Sequence, residues 1–207
     1  MHINQTSFEL AQEIISQFQS QIKAVLVIKH SVSINWRQTY LTEREKIKHL
    51  NEGLKSHKPL KEKWYFVDDF LKLDKLPKAN IKRNQVWSLS SKVILKGKEL
   101  NQYAHLPMMN FHPEGSINDA TIVEQAVKAI RPKEKGAILD SGRYWHYYGQ
   151  NLLNHTQWLK FMADFLMPCV LISPRYVALV LIRGYATLRL TADNQFKPKI
   201  PTVIKTI

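Results

Sequence analysis

The run Gly136-Ala137-Ile138-Leu139-Asp140-Ser141-Gly142-Arg143-Tyr144-Trp145-His146-Tyr147-Tyr148-Gly149 decides how the rest of the chain is read. It begins as an apolar strand, carries Ser141, Arg143 and His146 into a turn, and leaves through paired tyrosines. A hydroxyl, a guanidinium and an imidazole form a set suited to holding phosphate oxygens. The same letters equally describe a β-hairpin whose glycine makes the turn and whose aromatics pack. Strand alternation puts Ser141 and Arg143 on one face and turns Asp140 away from it. His146 joins that face only if the alternation breaks or Gly142 twists the strand. Tyr144, Trp145, Tyr147 and Tyr148 suit either core packing or base stacking.

Working outward, Phe8, Ala11, Ile14, Ile15 and Phe18 recur at helical spacing over residues 5–22, and Ala24–Ile28 follows as a β-branched strand. Thr42 with Glu45 forms a capping-box pattern that predicts a helix through Ile47, Leu50 and Leu54, limited by Pro59. Trp64–Val67 leads to the acidic pair Asp68-Asp69. A carboxylate pair can bind metal, but a helix N-terminus or turn accounts for it as well and is preferred. Residues 73–83 read as a Lys-rich loop, and Val86–Ser90 and Lys92–Lys96 as two strands of a hairpin. Met108–His112 is a buried strand, Asn118 caps a helix ended by Pro132, and Thr156 caps another ended by Pro168. Cys169–Ile172 is a strand. Ser173-Pro174 starts a helix stopped by Gly184, and Tyr185–Thr191 is a strand carrying Arg189. The Pro-containing tail from Lys197 to Ile207 is irregular. The expected class is α+β, with one central, mostly antiparallel or mixed sheet flanked by helices. A single domain spans 1–207: an N-terminal helical and basic extension (1–84), a core carrying the motifs (85–195) and a tail (196–207).

The formal net charge is +13, and residues 101–207 hold only seven acids, so a polyanion is the natural partner. Lys55, Lys58, Lys61, Lys63, Lys82 and Arg83 mark a stretch able to track a nucleic-acid backbone. No apolar stretch reaches membrane-spanning length and no secretory leader is recognisable, so a soluble protein without membrane association is expected. The lone Cys169 reads as a structural thiol, and a reducing cytoplasm is expected. No Walker loop, dinucleotide fingerprint, zinc-spaced Cys/His set or nucleophile elbow is present, and no metal site is read from spacing.

Ser141-Gly142-Arg143 with His146, Met108–His112 before it, and Leu171–Tyr176 with Gly184–Arg189 after it, resemble the catalytic core of the archaeo-eukaryotic primase superfamily, in a small bacterial-type form. The resemblance covers about residues 85–195. It implies an RRM-derived core in which Ser141, Arg143 and His146 contact a nucleotide's phosphates, with Arg175 and Arg189 as second-line ligands. It also implies metal-binding carboxylates, yet Asn110, His112 and Ser173 stand at those positions. These supply no negative charge to hold two Mg²⁺ ions. Glu114, Asp119 and Asp140 are the substitutes close by in sequence.

The leading expectation is a primase-like protein that binds nucleic acid or a nucleoside triphosphate and has lost polymerisation. The rivals are an active DNA or RNA primase-polymerase, using Mg²⁺ or Mn²⁺ through a non-standard carboxylate set, and a non-enzymatic module that binds a protein partner.

Overall fold

The structure is a computed structural model that describes residues 1–31, 42, 44–45, 59–76, 85–97, 102–112, 119–142, 144–168, 171–193 and 197–207. Helix α1 (Ser7–Gln17) opens on a capping box in which Thr6 accepts from the Glu9 amide and Glu9 accepts from the Thr6 amide. It buries Leu10, Ala11, Ile14 and Ile15, the stripe its periodicity predicts. Strands β1 (Ile22–Ser31) and β2 (Lys61–Phe66) follow, then the short helix α2 (Val67–Leu71) with Asp68 and Asp69 in its first turn. That placement is the one preferred from sequence: carboxylates complement the positive end of a helix. Next come β3 (Gln85–Leu95), β4 (Tyr103–His105), β5 (Met108–Phe111), α3 (Ala120–Ile130), β6 (Gly136–Asp140) and β7 (Trp145–Gly149). The chain closes with α4 (His155–Asp164), α5 (Pro174–Arg183), β8 (Thr187–Arg189) and β9 (Thr202–Thr206).

The α+β class stands, but the single expected sheet is two, each antiparallel throughout. One has the order β2-β1-β3-β4, with β8 also pairing β3; the other has the order β5-β7-β6-β9. The expected hairpin at 86–96 is one strand. Its register against β1 jumps from Val25–Val93 to Val27–Leu89, a bulge at the Ser90-Ser91-Lys92 step where the sequence suggests a break. The tail is not irregular. Thr202–Thr206 pairs with β6, and the Val203 carbonyl accepts from the Asn4 amide, so partners supplied by distant segments make it a strand. Of the expected strand 169–172, Leu171 and Ile172 are turn and bend, and the other two residues lie outside the described set. The caps shift by small steps: Asp119 caps α3 through the Thr121 amide, and Asn154 caps α4 through Gln157. Thr42 and Glu45 make the expected capping box, while the helix predicted beyond them lies outside the described residues.

The core joins both sheets. Trp158, Phe161 and Phe165 are fully buried, with Phe165 edge-on to Phe111 and tilted against Tyr147. Those contacts hold one face of β5 and β7 against α4, which leaves the alternate residues Asn110, His146 and Tyr148 on the other face.

Candidate functional site

The hairpin β6–β7 carries the motif in its turn. Gly142 has φ +99°, a conformation L side chains rarely adopt, and its amide donates to Asp140 Oδ1 at 2.6 Å. Ser141 bridges the turn, its amide and hydroxyl both donating to the Tyr144 carbonyl at 2.9 and 2.7 Å. Lys199 reaches over the turn to Asp140. Burial pushes the Asp140 carboxyl up, but Lys199 and the Gly142 amide outweigh it and hold it below the usual carboxylate range. Asp140 is therefore engaged by the turn and the tail. Asp119 is the α3 cap, and Glu114 lies outside the described residues.

His146, two residues into β7, faces Asn110 across the β5–β7 ladder, and the pairs Met108–Tyr148 and Phe111–Trp145 fix that register. One step beyond the ladder, His112 stacks on Tyr144 with ring centroids 4.1 Å apart and planes 18° from parallel. The His112 amide donates to the Leu171 carbonyl at 2.7 Å. This bond draws the start of α5 over the end of β5. Tyr176, in the first turns of α5, has its ring 6.1 Å from His112, and the Asn110 backbone amide lies against its hydroxyl. Ser173 is the N-cap residue of the same helix and Arg175 is in its first turn; both are half-buried. Asn110 and His112 are thus brought together with His146, and Ser173 stands one helical turn from Tyr176.

Arg189 is 7% exposed, and its guanidinium donates to the carbonyls of Ser141 (2.6 Å), Thr191 (2.9 Å), Lys197 (3.3 Å) and Lys199. It fastens the motif turn to the segment 197–199. Burial weakens the guanidinium's hold on its proton, and Asp193 and the Tyr148 hydroxyl oppose that. Lys197 places its ammonium 5.0 Å from the Tyr144 ring centroid. Its position in the tail gives no sequence signal for membership in this cluster, whereas Tyr148 is legible only as a packing or stacking aromatic and Tyr176 only as the end of the Leu171–Tyr176 segment. Burial, then the nearby Arg189, the His112 imidazole and Lys197, hold His146 well below the usual imidazole value, so it is neutral at pH 7. The Nδ1 of His146, the Oδ1 of Asn110 and the hydroxyl of Tyr148 are buried with no hydrogen-bond partner in the structure.

Lys61 and Lys63 are exposed on β2, an edge of the other sheet, with the Lys63 ammonium 4.2 Å from the Tyr65 ring centroid. Arg143, Lys55, Lys58, Lys82 and Arg83 lie outside the described residues. Among the described residues no group of three or more His, Cys, Asp or Glu could hold a metal ion, and no helix is long and apolar enough to cross a membrane.

A family model described as archaeo-eukaryotic primase 1D-like matches residues 72–202. That span contains β3 through the start of β9, and with them every residue of the cluster. Searches of the curated proteins and of the solved structures give no match.

Proposed function

The chain belongs to the archaeo-eukaryotic primase-like family, and on that premise we propose that it binds the phosphates of a nucleic acid or nucleotide without a resident metal pair and without polymerising. The observation that carries this reading is the facing pair Asn110–His146. It is an amide and a neutral imidazole with buried atoms left unbonded, beside the fixed charges of Arg189 and Lys197. Buried polar atoms are almost always bonded, so an orphaned pair on one face suits a ligand. The neutral His146 ring can carry its proton on Nδ1 and donate it to an anionic oxygen, the Asn110 Oδ1 accepts only from an N–H or O–H of the ligand, and Lys197 supplies charge.

The same residues do not fit a Mg²⁺ pair. Two hard cations need carboxylate oxygens to offset their mutual repulsion, and neutral donors flanked by Arg and Lys add repulsion instead. Arg143 and His146 remain the proposed grip, with Ser141, whose amide and hydroxyl are both spent on the Tyr144 carbonyl, shaping the turn, Arg175 at its edge and Arg189 holding the turn in shape. Lys55, Lys58, Lys61, Lys63, Lys82 and Arg83 supply the electrostatic track for a strand.

The test is fluorescence anisotropy with labelled single-stranded DNA and RNA, run across a salt series in EDTA and in Mn²⁺, with primer extension in parallel. Binding that survives EDTA, weakens linearly in log salt and falls in Arg143→Ala, with no nucleotide incorporated, is the expected result. Mn²⁺-dependent incorporation would overturn the loss of polymerisation. Binding insensitive to salt would overturn the phosphate grip. Unchanged binding in Arg143→Ala, with no nucleotide raising the melting temperature, would leave an interaction module as the reading.

A further inference from the structure

The sheet that does not carry the motif turn ends at β2, and strand alternation divides the side chains of this edge between two faces. Tyr65 points into the core, where it meets Phe70 of α2 edge-on at 6.2 Å, and the exposed Lys61 and Lys63 share its face. Trp64 and Phe66 stand on the opposite face. They are 41% and 61% exposed, although Leu26 and Ala24, the β1 residues paired with them, are buried. Single apolar side chains in water are ordinary, but two large rings at alternate positions of one strand make a patch. The pleat sets them ~6.8 Å apart, twice the ~3.4 Å spacing of nucleotides along a stacked strand, which leaves room for one base between the rings.

We propose that Trp64 and Phe66 form a stacking platform for the bases of a single-stranded nucleic acid whose phosphates run along Lys61 and Lys63. The inference rests on the reading that the chain binds nucleic acid, and it names the single strand as the form bound at this edge.

A single strand is two-sided in the way β2 is. Its phosphates form one flank and its bases the other, and aromatic rings beside a cationic track accept any base. At a sheet edge the strand can lie with one flank on each face. A duplex turns its bases inward and offers the rings nothing to stack on. Charge selects this occupant over an apolar protein segment. Lys29 stands directly opposite Lys61 in the β1–β2 ladder, like charges so placed repel, and a phosphate between them relieves the repulsion. The acids nearby are already engaged or lie at the limit of the track. Glu62, on the ring face, accepts from the Tyr185 hydroxyl at 3.1 Å, and Asp68 accepts from Gln19 Nε2 at 2.7 Å. Asp68 and Asp69, in the first turn of α2, repel phosphate just past Phe66 and so confine the site to a short stretch of the strand.

The experiment is fluorescence anisotropy on the full chain with three labelled probes of one length: an oligothymidylate, an abasic strand with the same backbone, and a duplex. The unmodified chain should bind the oligothymidylate at least ~10-fold more tightly than the abasic strand. Trp64→Ala with Phe66→Ala should remove that margin and leave the salt slope and the duplex affinity unchanged, because no phosphate contact is lost. Lys61→Ala with Lys63→Ala should instead lower the single-strand salt slope by about 1.4. Trp64→Phe should keep most of the margin, whereas Trp64→Leu with Phe66→Leu should lose it, since stacking needs a flat ring. No preference of the unmodified chain for bases over abasic sites would overturn the platform, as would an equal loss on all three probes in the alanine pair. A full margin in the leucine pair, the mark of a plain apolar contact suited to a protein, would also overturn it. The phosphate grip fails separately: its failure is read from Arg143→Ala, and loss of the base margin leaves Arg143-dependent binding to all probes in place.

Discussion

Replacing Arg189 by Met keeps most of the side chain's apolar stem and removes the guanidinium. Four carbonyls lose a charged donor: Ser141, Thr191, Lys197 and Lys199. Lys197 keeps a second partner, the Asp193 amide at 2.9 Å. Three carbonyls then depend on water reaching a place where the native side chain is 7% exposed. An orphaned buried acceptor costs about 1–3 kcal/mol, and Asp193 loses its nearby counter-charge. Removing one partner of a buried charged network costs about 3–5 kcal/mol, and the lower half applies here because the segment 197–199 lies near the surface. The expected loss is therefore ~3–4 kcal/mol in urea denaturation. Hydrogen exchange should show opening confined to the turn at 141–144 and the segment 197–199 while the destabilised protein is still folded. Arg189→Lys, with one ammonium for four acceptors, should recover less than half. A loss under ~1 kcal/mol, or exchange rising evenly across both sheets, would refute the clamp.

Acid should destabilise the protein in a defined window. His146 is held well below the ordinary imidazole value by burial and then by the nearby Arg189, the His112 imidazole and Lys197, and His105 is lowered to about 3 by burial, then by His155 and Lys92. Both are neutral when folded, while the unfolded chain takes up protons below pH ~6.5. Unfolding then binds protons, so stability is full above pH ~6.5 and falls as pH drops toward the folded values. His105 alone should remove about 2 kcal/mol by pH 5, measured by urea titrations in EDTA at pH 8, 6 and 5; a flat profile would count against both burials. Gly136→Ala places a methyl carbon 2.5 Å from the Tyr148 carbonyl and 2.5 Å from the Tyr147 ring. It should cost ~2–3 kcal/mol, whereas Gly97→Ala, with nothing within 4 Å but φ +66°, should cost about 1 kcal/mol, as thermal or urea melts will show.

The sequence shows most clearly what depends on neighbours along the chain. The α1 stripe, the Ser173-Pro174 start and Gly184 stop of α5, and the turn at Gly142 are all set by residues within a few positions. What it hides depends on distant partners. Ser90 and Ser91 look like a break in β3, yet both are buried: Ser90 Oγ accepts the Lys92 amide at 3.1 Å, and Ser91 serves Ala186 and His105. Polar residues bonded inside a bulge resemble a turn when read alone. Thr202–Thr206 becomes a strand because β6 has a free edge to pair with. At the site, Ser141, His146, Asn110 and His112 are legible as a motif and its counterpart. The part played by Arg189 is not, because a carbonyl clamp and a phosphate ligand use the same side chain. Lys197 enters through tertiary placement alone, and Tyr176, legible only as the end of the Leu171–Tyr176 segment, gains its place beside His112 from the fold.

Arg189 ties residues 48 positions before it to residues 10 positions after it. That fixes an order of events. Local pieces such as α1 and the β6–β7 turn can form as the chain emerges from the ribosome, but the clamp must wait until Lys199 has been made. Contacts across such separations close late and slowly. The turn at Ser141 and Tyr144 is therefore fastened only once residues 189–199 have been made, and whatever needs the fastened turn cannot act earlier in synthesis.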